Sequence, residues 1–133
     1  MKNANIGIFL IRVVLGAIFF AHGLSKFQGG LENTAGFFSS LGLPGFSAYL
    51  VAGIELIGGA LIIIGLATRI IAALFGAIMV VAIATVNLQN GFVGGYEFDL
   101  ALLAMSLLLV LNKEQAYSVE NVILSSRKKE QNV

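Results

Sequence analysis

A few polar or ionisable side chains stand in or beside long apolar stretches of the sequence, and these are the residues that could carry chemistry. Glu55 is the only charged residue between positions 48 and 66, and His22 is the only histidine in the chain. A charge near the centre of a bilayer costs about 2.5–3.5 kcal/mol on insertion scales, so each one needs a partner or a function. We predict that His22 and Glu55 are catalytic groups that exchange protons. We predict ligand-binding roles for the others, which are Arg12, Lys26, Asn87, Asn90, Glu97 and Asp99.

These residues converge on one level of the membrane if the apolar stretches form helices of alternating direction. Because a helix rises about 1.5 Å per residue, His22 and Lys26 fall near the outer end of the first stretch and Glu55 about 10 Å in from the outside. The amide and acidic groups between positions 87 and 99 reach the same level from later stretches. We therefore expect a polar cluster in the outer half, with Arg12 nearer the inner side.

Helical phase predicts that the charges point into a bundle and not towards lipid. At about 100° per residue, Arg12 shares one helix face with Gly16 and Gly23. Glu55 likewise shares its face with two glycines at 58–59. Small residues beside a charge are typical of close contact between membrane helices.

Two interpretations of the cluster remain open at this point. In the first, Glu55 pairs with Arg12 or His22, and the carboxylates of the last apolar stretch pair with Lys26, only to neutralise the interior. In the second, the same groups also line a polar pocket in which a ligand head group docks and protons move. The two asparagines would then hydrogen-bond a carbonyl of the ligand.

The elements that must position these groups are membrane-spanning helices. The chain is 58% hydrophobic and 11% charged, whereas a soluble domain carries about 25% charged residues. About 20 apolar residues are needed to cross the hydrocarbon core as a helix. The sequence predicts an all-α integral membrane four-helix bundle of antiparallel, up-down topology over residues 1–112, followed by a polar cytoplasmic tail at 113–133. The predicted spans are 6–26, 48–66, 69–88 and 96–111.

The connection at 27–47 predicts a short interfacial helix between the first and second spans. Asn33 could cap it, Gly42 suits its C-terminal end, and Pro44 prevents its continuation. Phe37 and Phe38 would face one way, which is typical of a helix lying on the membrane.

The distribution of Lys and Arg predicts the orientation. Lys2, Arg69, Lys113 and the basic run at 127–129 fall on one side of the membrane, and Lys26 alone falls on the other. By the positive-inside rule, both termini of this multi-pass cell-membrane protein face the cytoplasm. A cleaved signal peptide is the competing interpretation of the first span, but Arg12 would then interrupt its apolar region.

Composition excludes several kinds of chemistry and partner. The chain has no cysteine, so we expect no iron–sulfur cluster and no thiolate metal site. One histidine cannot supply two axial ligands to a haem, and we expect no metal. A net charge of +1 does not indicate the basic surface that nucleic-acid binding needs. Any redox role then needs a quinone, a flavin or a partner subunit to carry electrons.

Expected partners are the lipid bilayer, a soluble or membrane redox protein, and further copies of the chain.

Six short motifs occur in order along residues 6–112. They are Arg12–Gly16 with 22–27 (HGLSKF), 37–44 (FFSSLGLP), 55–59 (ELIGG), 65–69 (GLATR), 90–92 (NGF) and 95–98 (GYEF). In this order they resemble the DoxX family of small bacterial membrane proteins. The family pattern commonly has His where this chain has Asn87, which argues against a two-histidine proton or metal role here.

The resemblance implies a function that spacing alone does not select. DoxX proteins are labelled as oxidoreductases, and relatives are linked to thiosulfate:quinone oxidoreductase and to catechol and quinone resistance. From the resemblance we expect a quinone-linked oxidoreductase component without a redox cofactor of its own, acting in redox or aromatic stress. Two alternatives stay open: a scaffold that holds soluble redox enzymes through residues 113–133, and a proton-coupled exporter of aromatic compounds that uses Glu55.

Overall fold

The described residues form helices that are joined by short turns and loops, and they contain no β-strand. The structure is a computed structural model that describes residues 2–113 and 115–133. The α-helices of the described residues are α1 (Lys2–Gln28), α2 (Leu31–Ser40), α3 (Phe46–Ile64), α4 (Thr68–Ala82), α5 (Glu97–Leu111) and α6 (Val119–Gln131). Between α4 and α5 the chain passes through short π-helical and 3₁₀ turns at Ile83–Asn87, Leu88–Asn90 and Phe92–Tyr96.

Four helical stretches of the described residues are long and apolar enough to cross a membrane. They are Asn3–Gln28, Phe46–Ile64, Thr68–Asn90 and Phe92–Leu111. The prediction of an all-α protein with four spans is therefore confirmed. The third and fourth stretches are longer than predicted because the turns at 83–90 extend α4, and the turn at 92–96, which has non-helical backbone at 93–95, precedes α5.

A short helix occupies the connection between the first two spans, as predicted. It is α2, which begins earlier than expected: Gly30 is its N-cap, and the Asn33 side chain donates to the Gly29 carbonyl at 2.8 Å instead of capping the helix. The end agrees with the prediction, because Gly42 has a φ of +82° and lies just beyond the last turn. Leu43 N–H bonds back to the Phe38 carbonyl at 3.0 Å, which closes the helix end.

Glycines set the contact between α1 and α3. A Cβ atom added at Gly16 would lie 2.7 Å from the Gly59 carbonyl oxygen, and one added at Gly23 would lie 2.5 Å from the Leu56 nitrogen. Backbones this close require a small residue on at least one of the two helices. The predicted small-residue face of α1 is confirmed. On the neighbouring side of α3, Gly58 instead makes room for Phe75 of α4.

A narrow apolar core joins the four spans. Phe19 of α1 and Phe75 of α4 are buried and stack with ring centroids 3.8 Å apart. Leu102 and Leu109 of α5 are buried in the same core. Most other apolar side chains of the spans are exposed on the outside of the bundle, as expected for helices whose remaining surface meets lipid.

The polar segment after α5 is partly packed against the bundle. Gln115 and Ser118 are buried, and Glu120 N–H donates to the Gly65 carbonyl at 3.1 Å. Ser118 also caps α6, because its hydroxyl oxygen accepts from Asn121 N–H at 3.0 Å. The chain between α5 and α6 is thus packed against the end of the bundle at which α3 meets α4.

Candidate functional site

The site is a cavity of about 760 Å³ between α1, α2, α3, the second half of α4 and the start of α5. Its wall is mostly apolar, with Phe19 and Phe98 among the aromatic residues that line it. The charged or ionisable residues that line it are His22, Lys26, Glu55 and Asp99. The structure therefore brings together four of the residues predicted to form the site.

Lys26 and Glu55 form an ion pair in the cavity wall. Lys26 Nζ donates to Glu55 Oε2 at 2.7 Å, and Glu55 is 4% exposed. The geometry follows from the glycine contact, because Gly23 lets α1 approach the backbone of α3 at Leu56. Lys26 lies nearly one helical turn beyond Gly23, on the same face, and so reaches Glu55.

The partners expected for Glu55 from the sequence are wrong. Neither Arg12 nor His22 pairs with it, and Lys26 does not pair with a carboxylate of α5 in the described residues. Arg12 lies about 21 Å along α1 from Lys26, since 14 residues separate them at about 1.5 Å each. That distance places it at the opposite end of the bundle.

A double-mutant cycle tests the Lys26–Glu55 pair. We expect Lys26→Met and Glu55→Gln each to destabilise the protein, and the double variant to lose less than the sum. The interaction free energy should be about 1–3 kcal/mol because each single change leaves the other group unpaired in the wall. Reversible unfolding in mixed micelles measures it. Lys26→Met combined with Glu97→Gln is the control and should be additive; an additive Lys26–Glu55 cycle would contradict the pair.

Asp99 is a second buried carboxylate that lines the cavity. It is 7% exposed and lies in the first turn of α5, where the helix dipole favours a negative charge. Asn87 Nδ2 donates to Asp99 Oδ2 across the turns that join α4 to α5. Within the described chain, no Lys, Arg or His forms an ion pair with Asp99. In the described part of the chain, one cavity carboxylate is thus paired with a lysine, and the other accepts a hydrogen bond from an amide.

His22 faces the cavity but is otherwise exposed. Its ring centroid lies 6.0 Å from that of Phe98. Among the described residues, no hydrogen bond joins His22 to Glu55, so proton exchange between them stays a prediction. Both side chains nevertheless line one cavity and could act on one ligand.

The remaining predicted residues lie outside the cavity wall. Asn87 contacts the cavity only through its hydrogen bond to Asp99, and Asn90 is exposed in the turn that follows. Glu97 is exposed and accepts from Gly94 N–H at 3.2 Å. Arg12 is at the far end of the bundle. Among residues 2–113 and 115–133, no three His, Cys, Asp or Glu side chains come together as a metal site.

Sequence reasoning missed the contribution of α2. Thr34, Phe37 and Phe38 line the cavity, although Phe37 and Phe38 were expected to anchor a helix on the membrane. The amphipathic pattern of α2 was the available signal, but it does not say whether an apolar face meets lipid or a ligand.

Comparison with known proteins identifies the family. The DoxX family model matches residues 7–88. The chain belongs to the DoxX family. The matched region contains three of the four ionisable residues that line the cavity, which are His22, Lys26 and Glu55. The fourth, Asp99, lies beyond the matched region.

A curated DoxX-type relative extends the comparison over nearly the whole chain. It is the protein named "Putative oxidoreductase CatD" from Bacillus subtilis (strain 168), which is 48% identical over 127 residues, covering 96% of this chain and 94% of the relative. No solved structure matches the chain significantly. The resemblance drawn from the six motifs is therefore confirmed.

Proposed function

We propose that this DoxX protein is the quinone-linked component of a membrane oxidoreductase and binds an aromatic, quinone-class ligand between its helices. The observation that supports this most directly is the cavity of about 760 Å³ with its mostly apolar wall. Ligand sites in proteins typically enclose about 300–1,000 Å³, with apolar walls and a few placed polar groups. The relative's name supports an oxidoreductase role.

The polar groups of the cavity suit both redox states of such a ligand. A quinone carbonyl needs a donor, which Lys26 Nζ can supply. The hydroxyl of the reduced form needs an acceptor, which the Asp99 carboxylate can supply. Reduction of a quinone takes up two electrons and two protons. The electrons would come from a redox partner protein, and His22 or Glu55 would pass the protons.

The membrane arrangement that we propose is antiparallel and up-down, with both termini in the cytoplasm. Its support is that contacts between α1 and α3 run in opposite sequence order: Gly16 meets Gly59, and Gly23 meets Leu56. Lys and Arg outside the spans favour the same orientation. The cavity then lies towards the outer face. We propose that α2 borders it at the interface, since α2 has no buried residue and a half-exposed Phe37.

Blocking the cavity should weaken ligand binding. Ile54 and Ile57 lie on the same helix, but only Ile54 lines the cavity, while Ile57 is exposed on the outside. We expect Ile54→Trp to weaken binding of a short-chain menaquinone analogue at least about tenfold, equivalent to about 1.4 kcal/mol. Isothermal titration of the full chain in nanodiscs measures the affinity.

Ile57→Trp is the matched control and should bind the analogue as the unsubstituted chain does. Equal weakening by both variants would indicate non-specific partition into lipid and would contradict the proposal.

The exporter alternative predicts proton-driven flux of the analogue in sealed vesicles, which a quinone-linked component should not show. The scaffold alternative predicts loss of function on removing 121–133, a truncation that keeps the residues packed against the bundle.

We further propose a role in aromatic or quinone stress and assembly with a redox partner or with further copies of the chain. The exposed apolar surfaces of the spans are compatible with either kind of assembly. Co-purification from native membranes after a quinone challenge would identify the partner.

A further inference from the structure

The last helix, α6, carries an apolar stripe that the described chain leaves uncovered. Val122 is 66% exposed and Ile123 is 42% exposed, and no residue of α6 is buried. At about 100° per residue, Val119, Val122, Ile123 and Ser126 fall within a stripe about 100° wide. We call these four residues the α6 stripe. A helix with such a stripe is amphipathic.

Basic residues flank the α6 stripe on both edges, and Glu130 lies between those edges in the last turn of the helix, about 20° from Val119. Arg127 and Lys129 lie about 80° to either side of Val119 around the helix. Their long side chains can extend along an apolar surface while their charges stay in water. Two cations at the edges of an apolar stripe are complementary to a layer of negative charge lying over hydrocarbon.

The opposite side of α6 is mostly polar, although it also carries Leu124. Glu120, Asn121, Ser125 and Lys128 line a groove of about 230 Å³, together with Lys113, Gln115 and Leu124. The groove therefore separates the polar side of α6 from the chain that follows α5. The α6 stripe faces away from this groove, because its residues are absent from the lining.

The start of α6 is fixed at the end of two membrane spans. Glu120 N–H donates to the carbonyl of Gly65, the residue directly after α3. Arg12 donates to the carbonyls of Ala116 at 2.9 Å and Tyr117 at 2.6 Å. The first turn of α6 is thus held at the level where α3 ends and α4 begins, which is the edge of the hydrocarbon region.

We propose that α6 lies along the bilayer surface, with the α6 stripe at the boundary between acyl chains and headgroups and its basic edges on anionic lipid headgroups. The occupant of this surface is a bilayer leaflet that contains anionic lipid. Removing one basic residue should lower the ratio of docked to undocked α6 about fivefold in an anionic bilayer. The proposal concerns the membrane surface and does not depend on the quinone-linked role.

Single labels test this placement, since the chain has no cysteine of its own. We would attach an environment-sensitive fluorophore to Val122→Cys in the full chain, in nanodiscs with and without phosphatidylglycerol. With phosphatidylglycerol, the label should be quenched by a nitroxide placed shallowly in the acyl chain and protected from aqueous iodide. Ser125→Cys, on the groove side, is the matched control and should show the reverse.

Charge dependence is the second measurement. Arg127→Gln with Lys129→Gln should reduce nitroxide quenching of the Val122→Cys label to the level found in purely zwitterionic nanodiscs. Iodide quenching without nitroxide quenching would overturn the proposal, because α6 would be in water. Protection from both quenchers would also overturn it, because a protein surface would then cover the stripe. Equal nitroxide quenching of the Val122→Cys label in both lipid compositions would overturn the role of anionic headgroups, and this comparison needs no change to the basic residues.

Discussion

Arg12→Leu should lower the free energy of unfolding by about 3 kcal/mol or more, because each hydrogen bond from a charged donor contributes about 1.5–3 kcal/mol. Arg12 is 0% exposed, and its guanidinium donates to the carbonyls of Ala116 and Tyr117 at 2.9 and 2.6 Å. Its Cζ also lies 5.5 Å from the centroid of the Phe9 ring. Leucine would leave both carbonyls without a donor next to apolar helix surface.

The matched control is Arg69→Leu, which makes the same substitution at an exposed guanidinium. Arg69 Nε donates to the Val110 carbonyl at 2.9 Å, where water can replace it. We expect a loss of less than about 1 kcal/mol there. Reversible unfolding in mixed micelles compares the two variants, and equal losses would contradict a structural role for Arg12 in closing the bundle.

Arg12→Leu should also release the segment before α6. Tyr117 has a φ of +55°, a left-handed conformation that is unfavourable for an aromatic residue unless its surroundings hold it. Arg12 supplies that restraint from the bundle side. Hydrogen exchange at 115–118 should therefore rise in Arg12→Leu and stay unchanged in Arg69→Leu.

Arg12 shows why part of this structure could not be predicted from sequence. Its burial was predictable, since its helix face carries Gly16 and Gly23, and burial of a charge requires partners. Its partners were not predictable, because they are backbone carbonyls, and every residue has one. A search for a charged partner led to Glu55, which the structure pairs with Lys26 instead.

For Glu55, the sequence was sufficient to predict the burial of the side chain but not its ion-pair partner. Hydropathy predicted its span, and helical phase predicted its burial next to glycines. Its pairing depends on the height at which α1 and α3 cross, and a shift of one turn changes the partner. The backbone contact between Gly23 and Leu56 determines that height. The helical phase of the sequence shows which side of a helix a residue occupies. It does not show how far one helix is shifted along its axis relative to its neighbour.

The cavity also needed three-dimensional information. Asp99 and His22 were predictable as neighbours, since both lie near span ends at one level. The turns at 83–96 then decide which polar groups enter: Asn87 reaches Asp99, while Asn90 and Glu97 face outward. These turns depart from α-helical phase, and a helical wheel extended through them assigns faces wrongly.

Gly59→Ala should destabilise the bundle by about 2–3 kcal/mol, because an added methyl group overpacks the contact between α1 and α3. Its Cβ would lie 2.6 Å from the Phe20 nitrogen and 2.7 Å from the Gly16 carbonyl oxygen. Both are backbone atoms of α1, so a rotamer change cannot relieve the overlap and the two helices must separate.

Gly53→Ala is the control on the same helix, since a Cβ there would meet nothing within 4 Å. Alanine is the better helix former, so Gly53→Ala should be neutral or stabilise by up to about 1 kcal/mol. The two variants differ only in whether α1 lies against the site of substitution. A similar effect in both would mean that α1 and α3 are not in backbone contact, and Lys26 would then lose the approach that brings it to Glu55. Gly59→Ala should therefore also weaken the Lys26–Glu55 interaction measured by the double-mutant cycle, which links helix spacing to the polar wall of the cavity.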